Sequence, residues 1–146
     1  MHLIMYSSDY TGSLRSMPKD FSDILTTARS RNPAHQITGV LFYDQGKFIQ
    51  ILEGEKQSIH ALFSKIEQDS RHTNVTILMD EPITKRELLT WNMEAFDLSG
   101  NEGKDWSLLQ EFRDAYLNNY KVSTTMIIKW LRHFIQDHDK IKPMRR

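Results

Sequence analysis

Residues 37–54 read ITGVLFYDQGKFIQILEG, and the reading of this stretch decides the fold. Two apolar runs, ITGVLFY and KFIQIL, flank Asp44-Gln45-Gly46, the pattern of a β-hairpin whose turn takes a positive φ from Gly46. Side chains alternate along a strand, so Phe48, Gln50 and Leu52 share one face of the second run, and Ile49 and Ile51 the other. Both faces are largely apolar, as expected of a central strand covered on two sides. Gln50 interrupts that wall with an amide that carries two donors and two acceptor lone pairs. Left unmatched it costs roughly 1–3 kcal/mol, so something polar must meet it on the Phe48/Leu52 face. Neighbouring backbone, a water or a ligand would each serve.

Working outward, Leu3–Ser8 (LIMYSS) is a short apolar strand with Ile4 and Tyr6 on one face, and the Tyr6 hydroxyl needs a partner there. Asp9–Met17, with Gly12 and several serines, reads as a loop. Pro18 suits a helix's first turn, and Phe21, Ile24, Leu25 and Ala28 follow at helical spacing. That helix must stop near Asn32-Pro33, which leaves Asn32 either capping the helix end or reaching into a cleft. Beyond Gly54 a second helix buries Ile59, Leu62, Phe63 and Ile66 and closes in Asp69-Ser70-Arg71-His72. The basic pair there also suits the negative end of a helix dipole. Val75–Asp80 is a fourth strand ended by Pro82, Lys85–Leu89 a helical turn, and a fifth strand runs from Trp91 to about Asp97 with Trp91 and Met93 on one side. After a linker, Leu98–Asp105, two amphipathic helices follow, one marked by Leu109, Phe112 and Tyr116, the other by Ile127, Trp130, Leu131 and Phe134.

The order β-α-β-β-α-β-β predicts an α+β, ferredoxin-like sheet with both helices on one face, plus two C-terminal helices that cover the other face or pack on a second subunit. Residues 1–97 form the expected domain and 98–146 the linker and helical extension.

Composition narrows the function classes. Nineteen basic side chains balance nineteen acidic ones, so no global field recruits nucleic acid or an anionic membrane. The basic end, Lys140–Arg146, reads as a solvated terminus. No apolar run reaches the ~18–20 residues of a membrane span, and MHLIMYSSDY lacks a signal-peptide pattern. The absence of cysteine excludes disulfides and thiolate metal sites and permits a reducing compartment, with the cytoplasm the expected location. Six histidines show no ligand spacing of the HExxH kind, and there is no GxGxxG, P-loop or GxSxG.

Six separated motifs stand in order: Tyr6 in the first strand, Asn32-Pro33, ITGVLFY, GKFIQILEG, Asp69-Ser70-Arg71-His72 and Trp91-Asn92-Met93. In type, order and spacing this set resembles the BLUF family of flavin-binding blue-light sensor domains over about residues 1–97. It looks most like the short, stand-alone members with a C-terminal helical pair. The resemblance implies a flavin (FAD, with FMN or riboflavin as alternatives) between the two helices on the Gln50 face. It makes Tyr6 the electron donor to the photoexcited ring and Gln50 the amide between phenol and flavin. Asn32 would bond the ring edge, Ile24 and Ile66 would sandwich its faces, and Asp69, Arg71 and His72 would lie along the pyrimidine side and ribityl chain. Trp91 and Met93 would change contacts when the glutamine's hydrogen bonding changes. Ala28 stands where such domains often have a serine, which removes one hydroxyl partner for Gln50 or Trp91. Lys65, one turn before Asp69, either meets a phosphate or is an ordinary solvated lysine.

The expected function is therefore a blue-light photoreceptor, not an enzyme. It would relay a reversible change through the fifth strand and the C-terminal helices to an effector protein in trans, and homo-oligomers are expected from those amphipathic helices. Two readings compete with it. One is a flavin-free ferredoxin-like adaptor. The other is a small flavin oxidoreductase, which needs substrate access to a ring edge that Tyr6 and Gln50 would occupy.

Overall fold

A computed structural model describes residues 1–44, 46–86, 88 and 93–97. The elements are β1 (His2–Tyr10), α1 (Met17–Arg31), a 3-10 turn (Pro33–His35), β2 (Thr38–Asp44), β3 (Lys47–Gly54), α2 (Lys56–Glu67), β4 (His72–Pro82) and β5 (Glu94–Asp97). They build one five-stranded sheet in the order β4-β1-β3-β2-β5. Neighbours are antiparallel except β2 and β5, which run parallel. This is the α+β, split βαβ arrangement with a fifth strand that the sequence predicts. The two C-terminal helices, and Trp91, lie outside the described residues.

The hairpin forms as the sequence dictates. Asp44 pairs with Lys47 and Gly46 takes φ +86°, a conformation that suits glycine because it has no Cβ. In α1, proline occupies the first turn, where its missing N–H costs nothing, and Arg29 and Arg31 sit in the last turn against the dipole. The helix ends at Asn32 as expected, although Asn32 keeps right-handed angles (φ −60°, ψ −40°) against the usual bias of a residue before proline. Its carbonyl accepts from the backbone N–H of Ile37 at 2.9 Å and of His35 at 3.1 Å, which turns the chain toward β2.

Both helices pack on one face of the sheet. Phe21, Leu25 and Ala28 of α1 and Ile59, Leu62 and Phe63 of α2 join Ile4, Tyr6, Leu41, Phe48 and Leu52 in one buried cluster. The opposite-face residues Leu3, Met5, Val40, Phe42, Ile49 and Ile51 are also buried but do not belong to that cluster. β3 is thus covered on both sides.

Four local expectations change. β1 runs on to Tyr10, so the loop before α1 is shorter than predicted. His72 opens β4 instead of closing the second helix, because β4 pairs with β1 as far as Tyr10. Lys85 and Leu88 lie in bends, not in a helical turn. Tertiary hydrogen bonds hold that path: Arg86 donates to Thr38 Oγ1 at 2.9 Å, and the Leu88 N–H to the buried Glu53 carboxylate at 2.8 Å. Met93 sits in a bend just ahead of β5, not within the strand.

Candidate functional site

In the antiparallel β1–β3 register Tyr6 lies directly opposite Gln50, so both side chains rise from the same face toward the helices. The β1–β4 pairing slips between Met5 and Tyr6, a bulge of the kind that re-aims side chains beside functional sites. The Tyr6 hydroxyl donates to Gln50 Oε1, and Gln50 Nε2 donates to Met93 Sδ at 3.4 Å. All three residues are buried. The amide that the sequence left in need of a partner therefore has one at each end.

Above this series, between α1 and α2, is a cleft that opens to solvent. Ile24 and Ala28 of α1 and Leu62 and Ile66 of α2 face each other across it, while Tyr6, Gln50, Leu41, Phe48 and Met93 line its floor. Asn32, Asp69, Arg71 and His72 also line it. Of the described residues singled out from sequence, only Lys65 is not in this lining; Trp91 lies outside the described residues. Lys65 is exposed and borders an adjoining concavity with Arg31, His35 and Ser58. Helix geometry accounts for this, since Lys65 points one residue away from Ile66 around α2.

Local chemistry fixes the polar members. Arg71 forks onto Asp69, with Nε 2.9 Å from Oδ1 and Nη2 2.5 Å from Oδ2, and its backbone N–H donates to the same carboxylate. Arg71 thus pairs with Asp69 and not with helix carbonyls. Its hydrogen bonds hold the Asp69 carboxyl below the usual carboxylate range, against partial burial. His72 Nε2 donates to the Ile66 carbonyl, so in the neutral ring Nδ1 accepts from Ser8 Oγ at 2.9 Å. With both nitrogens engaged, His72 lines the cleft, its ring centroid 6.1 Å from that of Tyr6. Burial, with a smaller push from the Asp69 carboxylate, raises the Tyr6 phenol pKa well above its ordinary value.

Sequence reasoning missed three contributors. Thr27 and Arg31 line the cleft, and Arg31 Nε is buried with no hydrogen-bond partner among the described residues. Arg29 Nε donates to the Met93 carbonyl at 2.9 Å and so ties α1 to the chain entering β5. Thr27 and Arg31 flank Ala28 one residue before and three after, so extending the Ile24/Ala28 face of the helix would have found them.

A sequence model of the BLUF family, sensors of blue-light using FAD, matches residues 1–94. Among curated relatives, photoactivated adenylate cyclase subunit beta of Euglena gracilis is 43% identical over 67 residues, 46% of this chain and 8% of that protein. The blue light- and temperature-regulated antirepressor BluF of Escherichia coli (strain K12) is 31% identical over 87 residues, 60% of this chain and 22% of that protein. The matched segment is thus a small part of either relative's length. The solved structure described as the BlsA photo-activated state superposes with TM-score 0.69 at 28% identity, covering 84% of this chain and 96% of that one.

Proposed function

Because this chain belongs to the BLUF family of blue-light sensors using FAD, we propose that it is a photoreceptor whose switch is the Tyr6–Gln50–Met93 series. The observation that carries the proposal is the Gln50 amide, buried and held at both ends by groups of opposite hydrogen-bonding capacity. A bound flavin, taken as FAD with FMN and riboflavin as alternatives, supplies the blue-light chromophore and, when excited, an oxidant. The cleft fits such a group: apolar flanks suit a planar ring, polar groups line it as well, and Arg31 Nε is a buried donor lacking an acceptor among the described residues. Ile24, Ala28, Asn32, Ile66, Asp69, Arg71 and His72 would hold it, with Arg31 and, from the adjoining concavity, Lys65 toward any phosphate.

The chain's own chemistry follows from the amide. Tyr6 remains a protonated phenol at neutral pH, its proton held on Gln50 Oε1. A phenol gives up an electron most readily when that proton can leave with it, and Oε1 is the acceptor in place; the return of both to Tyr6 leaves a hydrogen-bond isomer with no net redox change. Half a rotation of the amide exchanges its ends, bringing Nε2 to Tyr6 and Oε1 to Met93 Sδ. A thioether cannot donate, so the turned amide sets acceptor against acceptor and drives Met93 from the contact. Trp91 is proposed to take the space released. Met93 immediately precedes β5, and its carbonyl is tied to Arg29, so its displacement reaches both β5 and α1. This is the bistable element through which illumination would act.

The proposed output passes beyond β5 to an effector protein in trans or to a second copy of the chain. The chain is proposed to have no catalytic activity of its own.

The test is to load the purified chain with FAD, FMN or riboflavin and record its visible spectrum before and after blue light. A small red shift that recovers in darkness supports the sensor. Bleaching without that shift favours a flavin oxidoreductase, and failure to take up any of the three favours a flavin-free adaptor.

A further inference from the structure

Away from the cleft, at the β4 edge, His2, His60 and Asp80 converge. They are far apart in the chain, which is why no histidine spacing in the sequence announces them. In the β1–β4 register Ile4 lies opposite Asp80 and His2 opposite Pro82, so His2 and Asp80 are diagonal neighbours on the face that α2 covers. α2 lays His60 over them. His60 Nε2 is 3.1 and 3.0 Å from the two Asp80 carboxylate oxygens, and His2 Nε2 also bonds Asp80 Oδ1. One ligand atom from each residue lies within 4.8 Å of the other two.

We propose that His2, His60 and Asp80 form a binding site for a divalent transition-metal ion, built from two imidazole nitrogens and one carboxylate. Zinc takes nitrogen at ~2.0–2.1 Å and carboxylate oxygen at ~2.0–2.2 Å, which sets tetrahedral ligand atoms roughly 3.3 Å apart. The His60–Asp80 separations are already close to that spacing. Without a metal, both histidines must carry a proton on Nε2 to bond the same carboxylate. A single cation uses both nitrogen lone pairs and the carboxylate together. The donor set suits zinc and its transition-metal neighbours better than calcium or magnesium, which prefer all-oxygen sites. His2 is nearly buried, whereas the His60 and Asp80 side chains are 36% and 35% exposed, so one side of the site opens to solvent for entry and a remaining water ligand. Because its ligands come from β1, α2 and β4, the ion would clamp α2, which carries the Leu62 and Ile66 wall of the cleft, onto the sheet.

The test is calorimetric titration of zinc chloride into the full chain and into His60→Ala and Asp80→Asn. His60 is half-exposed on a helix and Asn matches Asp in shape, so both variants should fold, and thermal melts without metal check this. The site predicts one zinc per wild-type chain and a melting midpoint that rises with zinc. In each variant affinity should fall at least the ~10-fold typical of losing even an outer-shell partner, and the midpoint should no longer rise. Equal zinc affinity in all three proteins, or no binding by the wild type, would overturn the proposal.

Discussion

Tyr6 and Gln50 are direct cross-strand partners on β1 and β3, and the phenol of one donates to the amide oxygen of the other inside the cleft. Their meeting is set by sheet register and not by a loop. A one-residue slip would send both side chains to the opposite face.

Tyr6→Phe removes the donor and leaves the ring. Gln50 Oε1 then lacks its partner, so the variant should be about 1–3 kcal/mol less stable in urea melts. It should still bind flavin and should lose the light-induced spectral shift.

Alkaline titration reports the burial of the same phenol. The folded-state pKa of Tyr6 is raised above its unfolded value near 10. Its contribution to stability is therefore complete below pH ~10 and is lost as pH climbs toward the folded value. Ultraviolet titration of wild type and Tyr6→Phe should count equal numbers of phenolates up to pH ~11, with the extra wild-type phenolate appearing only on unfolding.

Gly39 makes room for Met93. A Cβ at this position would lie 2.7 Å from Met93 Cε, the far end of a flexible side chain, and 3.1 and 3.2 Å from the Ile51 carbonyl oxygen and Leu52 Cδ2, which must give by a few tenths of an ångström. Gly39→Ala should therefore fold, with Met93 displaced and its contact with Gln50 Nε2 weakened. Recovery in darkness after a blue flash should change severalfold while flavin affinity holds.

Arg31 is predicted to distinguish the flavins. Its buried Nε has no partner among the described residues. Arg31→Gln should lose a charge-assisted bond of about 1.5–3 kcal/mol, or ~10–100-fold in affinity, for FAD and FMN. Riboflavin, which has no phosphate, should bind nearly as before. Fluorescence titration with the three flavins measures the difference.

Much of the site is legible in the sequence because it rests on local rules. The hairpin follows from Gly46 between two apolar runs, and the end of α1 follows from Pro33. Gln50 stands out as a polar residue in an apolar wall. The rest depends on distance. That Tyr6 faces Gln50 is a matter of register, and the Arg29 bond to Met93 is a tertiary contact without periodicity. Met93 falls short of the strand that contains it by pattern, because the segment after β4 is directed by Arg86 and Glu53. The His2–His60–Asp80 cluster is likewise invisible until the sheet brings β1 beside β4.

The most direct test of the amide switch is the light-minus-dark absorption spectrum of flavin-loaded wild type beside Gln50→Leu. A reversible red shift is expected in the wild type and none in the variant, with flavin bound in both. The same shift in Gln50→Leu would contradict the amide switch.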